Sequence, residues 1–98
     1  MRVTYEITAK VEPSHCERYE RYMRETHIPD LIKTGHFEGA TISTSEPGLY
    51  RVRYEAVDRE SLDRYLELDA PQLRDDFNEH FPSGIEVNRS EWNVLEKW

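Results

Sequence analysis

The chain has 98 residues, 37% of them apolar and 34% charged, with a formal net charge of −7 and one cysteine, Cys16. That length supports one modest core in one domain over residues 1–98. The acidic balance argues against nonspecific binding to nucleic acid or an anionic membrane, and a lone cysteine excludes an intrachain disulfide. No apolar run is long enough to span a bilayer, and the N-terminus alternates where a signal peptide would carry an apolar core, so the expected compartment is the cytoplasm.

Val3, Tyr5, Ile7, Ala9 and Val11 alternate with Arg2, Thr4, Glu6, Thr8 and Lys10. This period of two reads as a half-buried strand. Pro13 ends it, and Ser14-His15-Cys16-Glu17 fits a capping box with Ser14 as N-cap. Cys16, Tyr19 and Met23 share one helical face, with Arg18, Arg21 and Arg24 turned away. Pro29 predicts a kink or restart, and Gly35 is suited to a left-handed C-terminal position.

Residues 37–44 read as a second strand and 49–57 as a third, joined by the Glu46-Pro47-Gly48 turn into a hairpin. Asp58 caps a second helix, whose apolar positions Leu62, Tyr65, Leu66, Ala70, Leu73, Phe77 and Phe81 fall at steps of three and four. Pro71 bends that helix as Pro29 bends the first. The stretch 85–97 closes the chain as a strand, with a bulge expected near Arg89-Ser90. The order β-α-β-β-α-β, with right-handed crossovers, predicts an α+β ferredoxin-like fold. Its four-stranded antiparallel sheet would carry both proline-kinked helices on one face.

Several motifs point further: Val-x-Pro-Ser at Val11, Pro13 and Ser14, then His27-Ile28-Pro29, then Thr34-Gly35-x-Phe37-x-Gly39-Ala40. Tyr50-x-Val52-x-Tyr54 and Tyr65-Leu66 followed by Ala70-Pro71-x-Leu73 extend the set. On these the chain resembles the dimeric α/β-barrel superfamily of ferredoxin-like proteins. Within it, the chain is similar to a family of small bacterial proteins of unknown function with His-Ile-Pro after the first helix. The resemblance covers nearly the whole chain and implies a homodimer. The superfamily includes cofactor-independent monooxygenases, polyketide cyclases, muconolactone-type isomerases and haem-degrading enzymes, with a cavity between sheet and helices. Fold alone does not carry any of these activities over.

Among candidate residues, His27 stands at a broken helix. It is either a base or hydrogen-bond donor near neutral pH, or a cap for backbone groups freed by Pro29, a role Asp69 would repeat before Pro71. Glu6, Arg51, Arg53 and Glu55 fall on the polar sheet face. They form either a floor that grips a ligand, with Arg53 as anion anchor beside Glu6, or cross-strand ion pairs. Tyr54 is a candidate pocket lining. His15, His27, His36 and His80 show no metal-ligand spacing, and neither a metal nor another cofactor is expected. His80 occupies the place of an axial histidine in haem-degrading relatives, but their partner residues are not recognisable, so haem binding is not expected. Cys16 reads as a small core residue.

The function expected from these residues is that of a cytoplasmic homodimer with a small-molecule pocket. It would be a cofactor-independent enzyme of the monooxygenase, cyclase or isomerase type, with His27 as catalytic group and Tyr54, Arg53 and Glu6 binding substrate. The alternative is a non-enzymatic interaction module. Trp92, Val94, Leu95 and Trp98 offer more apolar bulk than one strand face can hide, so the expected dimer uses the open sheet face and the C-terminal segment.

Overall fold

A computed structural model describes residues 1–98. Strand β1 (Val3–Val11) leads through a short 3-10 turn (Pro13–His15) into α1 (Cys16–Tyr22), a π-helical turn (Met23–His27) and α2 (Ile28–Lys33). Strands β2 (Gly39–Glu46) and β3 (Leu49–Ala56) follow, then α3 (Arg59–Leu68), α4 (Ala70–His80) and β4 (Ile85–Asn93). The antiparallel sheet has four strands in the order β2-β3-β1-β4, the ferredoxin-like α+β arrangement, with β1 and β3 central.

The register follows from the alternation. Tyr5 lies opposite Tyr54 and Ile7 opposite Val52, which puts the apolar residues of both central strands beneath the helices. Glu6 lies opposite Arg53 on the other, uncovered face. A slip of one residue would expose Val3, Tyr5, Val52 and Tyr54, all now at most 2% exposed. All six tyrosines are buried. They form two aromatic groups under the helices, one of Tyr5, Phe37, Tyr54 and Tyr65, the other of Tyr19, Tyr22, Tyr50, Phe77 and Phe81.

Both prolines fall at the start of the helix that follows a break, Pro29 in α2 and Pro71 in α4. Pro71 follows the interruption at Asp69, where a first-turn N–H has no intrahelical partner to lose. Ahead of Pro29 the chain widens to a π turn, with the Ile28 N–H reaching the Met23 carbonyl. The wider turn gives the pyrrolidine ring room that a regular α turn would deny it. It also absorbs the drift of a 3.6-residue repeat over steps of four, so Tyr19, Met23, His27 and Leu31 all face the sheet. Gly35 takes φ 81° after α2, the left-handed stop expected of it. Asp58 caps α3 by accepting from the Ser61 N–H at 2.8 Å, and this bond holds its carboxyl below the usual range.

Two expectations are corrected. Ser14 caps nothing: Pro13, with its fixed φ, starts the 3-10 turn from Glu12, and neither this turn nor α1 has a side-chain cap. There is no bulge at Arg89-Ser90, because β4 pairs with β1 without interruption from Ile85 to Asn93. Val87 and Trp92 face opposite ways by simple alternation; the irregularity in the sheet lies in β2, between Thr44 and Glu46.

Candidate functional site

The helix-facing side of β1 and β4 meets the π turn and α4 at a cleft. Ile7, Met23, Phe77 and Val87 form its apolar wall, and His27, Arg74 and Arg89 add nitrogen groups. Each reaches the site for a readable reason. His27 sits eight residues after Tyr19 on the face that the π turn holds against the sheet. Arg74 lies between Ala70 and Phe77 at helical spacing on the inner side of α4. Arg89 pairs in register with Ile7, on the same side of β4 as Val87. The cavity at the bottom of the cleft is about 30 Å³.

The His27 ring is 8% exposed and packs against Phe77 at 5.6 Å and Tyr22 at 5.8 Å. Its Nδ1 is buried without a hydrogen-bond partner. Burial lowers its pKa to about 4; Asp30 and Asp76 pull upward and Arg89 pushes further down. The imidazole is therefore neutral at ordinary pH, with one N–H to donate and one lone pair to accept. No side-chain cap bond is made by His27 or by Asp69, so the capping role fails for both. Asp69 instead accepts from His36 Nε2 at 2.8 Å, tying the end of the first helical run to the α3–α4 junction.

The remaining candidates separate. Tyr54 lies beneath the helices but behind Tyr5, at 6.1 Å between ring centres. Its hydroxyl is buried without a partner, and burial raises its pKa. Arg53 and Glu6 lie on the opposite, open face, where the Arg53 Nε donates to Glu6 at 2.7 Å and Arg51 stands 3.9 Å from the same carboxylate. His27 and Tyr54 thus share the helix side, and Arg53 and Glu6 do not join them.

The open face carries a broad groove between Thr4, Glu6, Arg53 and the C-terminal segment. Trp92, Leu95 and Trp98 flank it, 58%, 88% and 101% exposed. His80 is exposed, hydrogen-bonded through Nδ1 to the Asp76 carbonyl, and tilted against the Tyr22 ring at 4.3 Å. No three histidine, cysteine, aspartate or glutamate side chains come together as a metal site. Cys16 is half-buried, with its thiol donating back to the Glu12 carbonyl at 3.5 Å.

Sequence reasoning missed Arg74 and Arg89. Both were legible: Arg74 by helical spacing between Ala70 and Phe77, Arg89 by sharing the odd register of Val87.

The family model of DUF4286, a domain of unknown function, matches residues 2–95. No curated protein matches the chain. Among solved structures, a point variant of SnoaB, a cofactor-independent oxygenase from Streptomyces nogalater, superposes with a TM-score of 0.75 at 11% identity, covering 98% of this chain and 95% of that one. A dimeric ferredoxin-like protein from an uncultured marine organism gives 0.71 at 18% identity, covering 99% and 98%. An ethd family protein from Bacillus halodurans gives 0.69 at 14% identity, covering 92% and 97%. At these identities the likeness is one of fold. No helix is long and apolar enough to cross a membrane.

Proposed function

The chain belongs to the DUF4286 family, and from the chemistry of its helix–sheet cleft we propose that it is a cytoplasmic homodimer that binds a small organic molecule at His27. The activity that fits best is a cofactor-independent transformation of the monooxygenase, cyclase or isomerase type. The observation that carries this reading is the His27 side chain, which lines the cleft buried and neutral and whose Nδ1 has no partner. A buried polar atom left without a partner costs about 1–3 kcal/mol, a cost that a ligand hydrogen bond would remove. A weakly basic imidazole among apolar and tyrosine side chains suits hydrogen bonding to a substrate carbonyl or enol. It takes up a proton only as the substrate's own charge develops. Tyr54 would support the lining from behind Tyr5, and SnoaB, of the same fold, is named a cofactor-independent oxygenase.

Arg53 and Glu6 fit better at the subunit seam. The open face and the exposed Trp92, Leu95 and Trp98 form an apolar edge around cross-strand ion pairs, as expected where a second copy packs.

One observation favours the alternative of a non-enzymatic interaction module. The cavity of about 30 Å³ holds roughly one water, against roughly 300–1,000 Å³ for ordinary ligand sites. Binding therefore requires the side chains at the cleft mouth to move. An NMR fragment screen separates the two readings. The enzyme-like reading expects amide shifts at Met23, His27, Phe77 and Val87 with some aromatic fragments, lost in His27→Leu. A screen in which fragments move only open-face amides would leave the interaction module.

A further inference from the structure

Two guanidinium groups at the cleft have no carboxylate partner, in a chain where Asp and Glu outnumber Lys and Arg by 20 to 13. Arg74 is half-buried, and its one side-chain hydrogen bond goes to the Tyr5 hydroxyl at 3.0 Å. Arg89 makes no ion pair, while most other surface arginines are paired: Arg2 with Glu38, Arg21 with Glu17, Arg53 with Glu6, Arg59 with Glu91 and Arg64 with Glu60.

None of the neighbouring carboxylates pairs with Arg74 or Arg89. Glu91, two positions along β4 on the same side as Arg89, pairs with Arg59. Asp69 is held by His36. Asp76 accepts from Gln72 at 2.9 Å. Asp30 lies in the first turn of α2. Both arginines act on one interior: each pulls the Tyr65 hydroxyl's pKa down against the rise that burial causes, and Arg89 also pushes His27 down.

We propose that the ligand of this cleft is a small organic monocarboxylate with an apolar body, its carboxylate held between Arg74 and Arg89 beside His27. This rests on the small-molecule reading above and names the class of molecule it takes. A planar guanidinium fork matches a carboxylate edge, and two forks can share one carboxylate. The wall beyond them, Ile7, Met23, Phe77 and Val87, offers nothing polar and suits a hydrocarbon or aromatic body. Met23 is unbranched and can yield to admit it. A net charge of −7 weakens long-range attraction for every anion and most of all for dianions, which favours a single carboxylate over a phosphate. The bound charge would offset Arg89 at the His27 ring, so an anionic ligand raises the basicity of the one imidazole beside it.

The test compares benzoate with benzamide, its uncharged near-isostere, by NMR titration of the full chain and of Arg89→Gln and Arg74→Gln. Arg89 is exposed, so its replacement leaves the core untouched; Arg74→Gln is the second, independent variant. The expected result is benzoate-dependent shifts at Ile7, Met23, Phe77 and Val87, with benzamide weaker. Each glutamine variant should weaken benzoate by roughly ten- to a hundredfold while leaving benzamide unchanged. Equal affinity for the two probes, with no effect of Arg89→Gln, would overturn the carboxylate proposal and leave the cleft reading standing. Cleft amides that move with neither probe would remove both.

Discussion

Replacing His27 by leucine should make the protein more stable, and increasingly so as the solution is acidified. The folded ring titrates at about 4, against 6.5 for a free histidine. Between those values the unfolded chain takes up a proton that the native ring refuses, so acid favours unfolding. This loss begins as pH falls through about 6.5 and levels off below about 4; above 6.5 the contribution is fully retained. The difference amounts to about 2 kcal/mol by pH 5 and about 3 kcal/mol by pH 4. Leucine has no proton to refuse. At pH 7.5 the variant also removes the buried, unpartnered Nδ1, a gain of about 1–3 kcal/mol set against lost packing on Phe77 and Tyr22. Urea unfolding at pH 7.5 and pH 5 reads both effects. The expected outcome is a variant about 1 kcal/mol more stable at the higher pH and about 3 kcal/mol more stable at the lower. A variant destabilised at pH 7.5, with a pH profile parallel to the wild type, would refute the picture of a neutral, uncompensated imidazole.

Tyr54→Phe removes a fully buried hydroxyl that has no partner; calorimetry should show a gain of about 1 kcal/mol, and a loss would mean that the hydroxyl is satisfied in the native state. Gly48 holds φ 84° with space for a Cβ only 2.8 Å from the Val11 carbonyl oxygen, so Gly48→Ala should cost about 2 kcal/mol or more in urea unfolding. Light scattering at micromolar concentration should give twice the chain mass, falling to one chain in Trp92→Glu; a monomer in both would end the case for a dimer across the sheet faces burying about 1,200 Å² or more.

The sheet was legible because its two central strands alternate without a break. Once Val3, Tyr5 and Ile7 must be covered, Glu6 and Arg53 can only lie on the other side, as the register has them. The local stops at Gly35 and Asp58 were legible because each needs chemistry that few residues supply. Ser14 misled because two helix-start signals overlap: the proline rule at Pro13 outranked the capping box one residue later. The helix irregularity at His27 was legible from Pro29, but the surroundings of its ring were not. Whether an imidazole beside a proline caps the backbone or turns inward depends on whether the turn before it is α or π, and both accept the same residues. The arginines of the cleft come from α4 and β4, and only the folded register brings them together with His27.

The central claim is that the helix–sheet cleft, and not the open sheet face, receives a small molecule. A crystal structure soaked with the aromatic fragment that gives the strongest NMR shifts tests it most directly. The expected result is density between Met23, Phe77 and Val87, with a polar atom of the ligand within hydrogen-bonding distance of His27. Ligand density confined to the groove beside Trp92 and Arg53, with the cleft unchanged, would contradict it.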